Sequence, residues 1–328
     1  MDPAPFIRGC AFAGIRGVPY PRLKPDDASR VPLDTWARAT LPVGVRLELV
    51  GDAEEIEITY TTKTEEFGHR GEGAGRTFAV WREGELVDEE KADLGEGTVR
   101  LMLAPTANER AIVYLPQGMR PEIQDVEPFG GEIRPAPSQP RFVVYGDSVA
   151  EGWIASAPAL AWPAIVGREH GVDVINMAFG GAARGEIAVA EQLADTNADA
   201  ICIAYGTNCW TRTPHSVGQI REGIRAFLEI VRQDHPHTPI VVVTPVVRPD
   251  AEDAPNRLGA SLHAIRHAMH EVVSAHIRSG DGRMRLVPGK EALETGMLGD
   301  GIHPNDEGHR ALADAVGPEV ASMLEGSR

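Results

Sequence analysis

The chain contains little cysteine: Cys10, Cys202 and Cys209 are the three cysteines among 328 residues. An odd and sparse set does not form a disulfide framework and is typical of a reducing compartment. A chain of this length with 42% hydrophobic residues has enough apolar surface for a substantial core. We therefore expect folding to need neither disulfides nor a structural metal.

Basic residues and long apolar runs are also scarce. Lys and Arg number 32 against 48 Asp and Glu, which gives a formal net charge of −16. Binding to nucleic acid or to an anionic membrane needs a basic surface, so both partners are disfavoured. No run is long and apolar enough to span a bilayer, and the first residues lack the basic start and unbroken apolar stretch of a secretory signal. The sequence predicts a cytoplasmic protein.

Two halves with different periodicity make up the chain, as its length suggests. Residues 1–138 alternate between apolar and polar side chains with a period of two, as in VRLELV at residues 45–50, which predicts β-strands. Gly84 lies between two such runs, at an expected hairpin turn, and the glycine-rich residues 68–76 are expected to form a hairpin loop. This half is predicted to be an all-β sandwich of jelly-roll type.

The second half, residues 139–328, begins within the proline-rich residues 132–140, where regular structure is disfavoured. Short apolar strands then alternate with helical segments, including a helix at about 216–233, a long helix from about Leu258 to Arg278 and a last helix from about Glu307. This pattern predicts a three-layer α/β/α domain with a parallel sheet covered on both faces. In such a sheet the functional side chains gather at the carboxyl ends of the strands.

Ser148 follows the first strand of the second half and precedes a helical run. A serine at this point exposes its hydroxyl, and its own backbone N–H is placed to stabilise an oxyanion. The alternative is that Gly-Asp-Ser is an ordinary turn with a helix N-cap.

His303 lies in a loop before Pro304, three residues after Asp300. Its imidazole is suited to accept the proton of a serine, and a carboxylate three residues earlier in a turn is able to fix its tautomer. The alternative is a surface turn in which the aspartate caps its own backbone.

Asn208 and Gly181 follow two further strands. The Asn208 amide is a candidate donor to an oxyanion, and Gly181, without a Cβ, lets a substrate approach a backbone N–H. Either residue alone is compatible with a plain loop. Together with Ser148, His303 and Asp300, however, they complete the groups needed for acyl transfer, all expected at the same edge of the sheet.

The segments VVYGDSVAEGW, INMAFGGAAR, YGTN and DGIHPNDEGH resemble the four conserved blocks of the SGNH, or GDSL-like, esterases and lipases. The resemblance covers about residues 141–325, with Val149 at a position where Leu or Ile is commoner. It implies that Ser148 is the nucleophile, that Asp300 and His303 complete the triad, and that the Ser148 N–H, Gly181 and Asn208 form the oxyanion hole. The Gly-x-Ser-x-Gly elbow of the α/β-hydrolases is absent from the sequence.

The expected substrate is a small acyl ester, with O-acetyl groups of a sugar or metabolite as candidates because some carbohydrate esterases of this family carry a preceding β-sandwich. No cofactor is expected. An acyltransferase with the same triad, a thioesterase or lysophospholipase with a longer acyl channel, and a non-catalytic binding module remain alternatives, and a homo-oligomer is left open.

Trp153 and Trp210 lie close in sequence to Ser148 and Asn208, which makes them candidates for the walls of a substrate pocket. Ordinary core or rim positions are an equal alternative. His263, His267 and His270 share one face of the predicted long helix, but no glutamate completes an HExxH pattern, so an exposed polar stripe is favoured and no metal site is predicted.

Overall fold

The structure, a computed structural model, describes residues 1–66, 71–104, 109–211 and 213–326. The strands are β1 Ile7–Arg8, β2 Arg46–Gly51, β3 Glu55–Thr62, β4 Thr77–Arg82, β5 Glu85–Lys91, β6 Gly95–Met102, β7 Ala111–Tyr114, β8 Glu122–Phe129, β9 Ile133–Pro135, β10 Arg141–Gly146, β11 Asp173–Ala178, β12 Ala200–Ala204, β13 Ile240–Val243 and β14 Met284–Val287. The α-helices are α1 Leu33–Ala39, α2 Gly71–Arg76, α3 Ser148–Glu151, α4 Trp162–His170, α5 Ile187–Ala194, α6 Val217–Asp234, α7 Leu262–Arg278, α8 Gly289–Ala292 and α9 Asp306–Glu325.

The second half has the predicted parallel sheet. Its strands lie in the order β11-β10-β12-β13-β14, and every neighbouring pair is parallel. Alternate residues of each strand enter different cores: Val143 and Tyr145 pack with α5, α6 and α7, whereas Phe142 and Val144 pack with α4 and α9. Both faces of β10 to β13 are buried, which explains why each of these strands is an almost continuous apolar run.

The first half contains two antiparallel sheets, one in the order β1-β2-β7-β4-β5 with β9 beside β2, the other in the order β6-β3-β8. Apolar side chains from both sheets meet in one core, including Leu47 and Leu49 of β2 and Ile56 and Ile58 of β3. Glu83 and Gly84 both have positive φ between β4 and β5, which confirms the predicted turn. The jelly-roll assignment and the boundary at residue 138 stay predictions.

Helices in the first half correct the all-β expectation. Helix α1 has seven residues, too few for a helical period to stand out in the sequence. Helix α2 occupies residues 71–76 of the segment expected to be a hairpin loop, while residues 68–70 of that segment lie outside the described residues. Ala74 of α2 is buried, so tertiary packing outweighs the low helix propensity of the neighbouring glycines.

The long helix α7 also differs from its predicted bounds, because it begins at Leu262 and not at Leu258. The Ser261 side chain accepts a hydrogen bond from the Ala264 N–H and thereby caps the first turn. The carbonyl and amide side chain of Asn256 hold the preceding residues 256–260 in a turn. The helices at 216–233 and from Glu307 start within one residue of the predictions.

Two arginines of the first half cover the outer edge of the parallel sheet. β11 is an edge strand, so the carbonyls of Val174, Asn176 and Ala178 have no partner strand. Arg46 donates to the Val174 carbonyl at 3.1 Å, and Arg22 donates to the carbonyls of Asn176 and Ala178. The two guanidinium groups therefore satisfy carbonyls spaced two residues apart and close an edge that otherwise invites strand pairing.

The alternation of side chains along β2 predicts that Arg46 and Glu48 lie on the face opposite the core, which in a strand is usually exposed to solvent. Both side chains are buried, since the second half packs against that face and Asp173 pairs with Arg46 at 2.9 Å. The alternation itself is confirmed by the core positions of Leu47 and Leu49. Sequence periodicity does not show that a polar face is covered by another part of the chain.

Candidate active site

Ser148 stands where β10 turns into the short helix α3, at the carboxyl end of the parallel sheet. The Asp147 side chain accepts a hydrogen bond from the Val149 N–H at 3.1 Å and caps this helix. Gly146 carries no side chain, and a Cβ there would collide with Ala150 and the Ala204 carbonyl. The turn therefore presents the Ser148 side chain at the strand end, as the sequence predicts.

The Ser148 Oγ lies 2.9 Å from His303 Nε2, although the two residues are 155 positions apart in the chain. On the other side of the ring, His303 Nδ1 lies 2.7 Å from Asp300 Oδ2. An ionised carboxylate only accepts hydrogen bonds, so this contact places the ring proton on Nδ1 and leaves Nε2 free to accept from the serine hydroxyl. This geometry is suited to a serine nucleophile with a histidine base and an orienting carboxylate.

Asp300 is held in its ionised form by its own turn. Partial burial acts to raise the pKa of this carboxyl, but hydrogen bonds from the His303 ring and from the backbone N–H groups of His303 and Ile302 outweigh it and set the pKa below its usual value. The three-residue spacing allows both the ring and the backbone of His303 to reach the same carboxylate. The Asx turn considered as an alternative is thus present and works together with the ring contact.

Gly181 and Asn208 follow β11 and β12, the two strands on either side of β10, at the strand ends where Ser148 lies. Gly181 adopts a φ of 73°, in the left-handed region that favours glycine. It belongs to the 179–186 loop, which follows β11. The Asn208 Nδ2 donates to the Ala183 carbonyl of this loop at 3.1 Å. Asn208 therefore also stabilises the loop that contains Gly181.

The two tryptophans have different surroundings. The Trp153 ring lies 4.8 Å from the His303 ring between centroids, with the ring planes at 35°. The Trp210 indole N–H donates to the Ala254 carbonyl at 2.8 Å, and the Arg248 guanidinium lies over its ring. Trp153 therefore contacts the candidate base directly, whereas Trp210 is tied to the loop before α7.

Several residues at the site escaped the sequence interpretation. Glu151 is 3% exposed and accepts hydrogen bonds from Arg22, from the Trp153 indole and from the Gly180 N–H. His309 is fully buried, with its Nε2 3.1 Å from the Trp153 carbonyl. The sequence offers one indication of such a role, because Glu151 is an acidic side chain among the small and apolar residues that follow Ser148.

A cavity of about 680 Å³ lies between the first half and the α4–β11 side of the second. Its lining includes Trp81 and Arg168, together with Glu151 and Gly152. Among the described residues that line it, neither Ser148 nor His303 is found. The cavity therefore borders the segment after the serine without opening onto the serine itself.

His263, His267 and His270 lie on the exposed side of α7, as expected. Within the described ranges, no three His, Cys, Asp or Glu side chains are grouped as a metal site requires. Nor does any described helix combine the length and apolar character needed to cross a membrane.

Comparison with solved structures shows the fold of the whole chain. A salicylyl-acyltransferase, SsfX3, from a tetracycline biosynthetic pathway superimposes with a TM-score of 0.82 at 22% identity, covering 97% of this chain and 94% of the other. A GDSL-like lipase from Bacteroides ovatus gives a TM-score of 0.77 at 23% identity, with coverages of 97% and 95%. An acetyl xylan esterase from Butyrivibrio proteoclasticus gives 0.63 at 15% identity, with coverages of 98% and 96%.

No curated protein sequence matches the chain significantly. The sequence of residues 139–321 does match the GDSL-like lipase/acylhydrolase family, and this segment makes up more than half of the 328 residues. It contains Ser148, Gly181, Asn208, Asp300 and His303. The chain therefore belongs to the GDSL-like lipase/acylhydrolase, or SGNH, family of ester hydrolases.

Proposed function

We propose that the protein is a serine esterase in which Ser148 attacks the ester carbonyl, His303 accepts the serine proton and Asp300 holds the imidazole. The observation that carries the proposal is the continuous hydrogen-bonded series from Ser148 Oγ through both ring nitrogens of His303 to Asp300, with distances of 2.9 and 2.7 Å. The contact between a hydroxyl and an unprotonated ring nitrogen is the arrangement that general-base activation of a serine requires.

In the first step the Ser148 Oγ–carbonyl bond forms while the serine proton moves to His303 Nε2. The carbonyl oxygen becomes an oxyanion, for which we assign three donors: the N–H groups of Ser148 and Gly181 and the Asn208 amide. Asn208 Nδ2 carries two hydrogens, and the bond to the Ala183 carbonyl uses one of them. Loss of one such donor typically lowers the rate by about 100- to 1000-fold.

Collapse of the tetrahedral intermediate breaks the ester C–O bond, and His303 gives its proton to the departing alcohol. Water, deprotonated by the same imidazole, then attacks the acyl-enzyme and releases the acid and free Ser148. Each step needs only these side chains and backbone donors. We therefore propose that the reaction requires no cofactor.

We further propose short acyl groups, including O-acetyl groups of a sugar, as the substrate class. Two observations support short chains: Ser148 is 3% exposed and His303 is 8% exposed, with the Trp153 ring against the imidazole. The acetyl xylan esterase among the structural neighbours agrees with this class through its fold. We regard the two antiparallel sheets of residues 1–138 as an accessory β-sandwich domain.

Acyl transfer to an alcohol or amine is the second candidate, supported by the similarity of the whole chain to a salicylyl-acyltransferase. The two candidates share the acyl-enzyme and differ in the acceptor that enters after it. Product analysis with added alcohol distinguishes them, because a transferase forms a new ester at the expense of free acid.

Hydrolysis of p-nitrophenyl esters from acetate to decanoate tests the proposal. We expect turnover of short chains and a loss of roughly 10⁴-fold or more in kcat/KM for Ser148→Ala. Ser274→Ala, on α7, is the matched control and is expected to keep full activity. Activity that persists in Ser148→Ala would contradict the assigned nucleophile, and a preference for decanoate would contradict the short-chain substrate.

A further inference from the structure

Glu151 is a buried carboxylate three residues after Ser148, at the end of α3. Acidic side chains are almost never fully buried unless they are paired. Glu151 Oε1 accepts from Arg22 Nη2 at 3.1 Å, whereas Oε2 accepts from the Gly180 N–H at 2.5 Å and from Trp153 Nε1 at 3.0 Å. One carboxylate therefore joins the first half of the chain to two parts of the active site.

The contact with Gly180 bears on the peptide that carries the Gly181 N–H. Glu151 accepts a hydrogen bond from the Gly180 N–H, which belongs to the preceding peptide group. Arg184 Nη2 donates to the Gly181 carbonyl, which belongs to the following peptide group, at 3.1 Å. Arg184 is itself paired with Asp34 of α1 at 2.6 Å. The direction of the Gly181 N–H is thus set from both sides.

Gly180 permits this contact because it has no side chain. A Cβ at this position would overlap the Glu151 carboxylate and the Trp153 indole. The two glycines of the 179–186 loop therefore have different structural roles. Gly180 admits the carboxylate, and Gly181 supplies the backbone conformation with positive φ.

The contact with Trp153 bears on His303. The indole N–H is anchored on Glu151, the ring packs against the imidazole, and the Arg38 guanidinium lies 5.7 Å from the indole centroid. An indole fixed at its nitrogen limits the positions open to the imidazole beside it. Glu151 is therefore connected to the base as well as to the oxyanion-binding peptide.

We propose that Glu151 is a positioning residue for the acyl-transfer reaction: its carboxylate, itself held by Arg22, fixes the Gly180–Gly181 peptide and the Trp153 ring beside His303. This inference rests on the proposed function of Ser148, His303 and Gly181. It also gives the first half of the chain a part in catalysis, because Arg22 reaches the active site from the segment before α1. Glu151 acts through other residues and does not touch the reacting atoms.

Glu151→Gln tests the proposal, with Asp281→Asn as the matched control. A glutamine has one acceptor oxygen where three donors converge, and its NH₂ group would face a donor. Asp281 forms a partly buried pair with Arg232 at 2.8 Å, before β14 and thus at the opposite end of the sheet. Both variants remove the charge from one arginine–carboxylate pair, so a general loss of stability affects both.

We expect Glu151→Gln to lower kcat for p-nitrophenyl acetate by roughly 10- to 100-fold with KM within about twofold of wild type, since misplacement of the groups that meet the transition state affects kcat. Asp281→Asn should keep kcat within about twofold. In ¹⁵N-resolved NMR spectra, the Gly180 amide and Trp153 indole signals should shift in Glu151→Gln and stay in place in Asp281→Asn.

An unchanged kcat in folded Glu151→Gln, or equal losses in both variants, would overturn the proposal. If Glu151→Gln does not fold, Trp153→Phe removes the indole N–H and keeps an aromatic ring, and an unchanged kcat there would overturn the link to His303. The NMR shifts do not depend on the reaction. They distinguish a failure of this inference, in which neither signal moves, from a failure of the proposed function, in which Ser148→Ala retains the activity.

Discussion

Replacement of the buried His309 is predicted to change how stability depends on pH. Burial lowers the pKa of this imidazole from 6.5 to about 4. The structure gives the reason, because Nδ1 faces the Trp162 N–H at 3.4 Å while Nε2 lies 3.1 Å from the Trp153 carbonyl. A neutral ring with its proton on Nε2 satisfies both contacts, whereas a second proton on Nδ1 would face a donor.

The direction of the change in stability with pH depends on whether the unfolded or the native state binds this proton more tightly. The unfolded chain takes up this proton near pH 6.5, but the native state resists it until about pH 4. The stabilisation is therefore present above pH 6.5 and is lost as the pH falls towards 4. Between about pH 7.5 and about pH 4.5, proton linkage gives a loss of about 2.5 kcal/mol in the free energy of unfolding from this one group.

Urea unfolding of wild type and His309→Gln at these two pH values measures the effect. Glutamine supplies one acceptor and one donor without titrating, so we expect the decrease in unfolding free energy on acidification to be smaller by about 2.5 kcal/mol in the variant. His263→Gln, at an exposed position of α7, controls for the loss of one imidazole. Equal decreases in wild type and His309→Gln would refute the argument, whatever the absolute stability of the variant.

Three further predictions concern stability and catalysis. Gly180→Ala should destabilise the fold by about 1–3 kcal/mol and lower kcat, because its Cβ overlaps Glu151; an unchanged melting temperature and kcat would contradict this. Arg46→Met should lower the unfolding free energy in urea by about 1–3 kcal/mol, because the Val174 carbonyl and Asp173 lose this donor while Glu48 keeps Arg110, and a loss below about 1 kcal/mol would show that the Arg46 contacts are dispensable. Burial raises the pKa of Asp147 from 3.8 to about 6, so the native carboxyl adds stability below pH 3.8 that is lost as the pH rises through 6. Asp147→Asn should therefore gain about 2.4 kcal/mol over wild type on going from about pH 4 to about pH 8, and a parallel pH dependence would contradict it.

The sequence was informative where chemistry and topology depend on local spacing. Ser148, Gly181 and Asn208 each follow a strand of a parallel sheet, so the rule that strand ends share one edge predicts that they lie at the same edge. His303 and Asp300 are three residues apart, and a turn suffices to bring them into contact. The alternation of apolar residues likewise separated the two halves of the chain.

Contacts between distant segments could not be predicted in this way. Arg22 and Glu151 are 129 positions apart, and an isolated arginine or glutamate in a sequence is normally assigned to the surface. Arg46 followed the pattern of a solvent-facing strand position, yet it lies buried against β11. The roles of these three residues depend on how the two halves of the chain pack against each other. Local patterns in a single sequence do not predict that packing.

Labelling with a fluorophosphonate, followed by peptide mapping, tests the central claim most directly, since the probe reacts preferentially with an activated serine and needs no knowledge of the substrate. The account predicts one adduct on Ser148 in the folded protein, its disappearance in Ser148→Ala and a strong decrease in His303→Ala. An absence of labelling in folded wild-type protein, or an adduct on another residue that persists in Ser148→Ala, would contradict the assignment of Ser148 as the nucleophile.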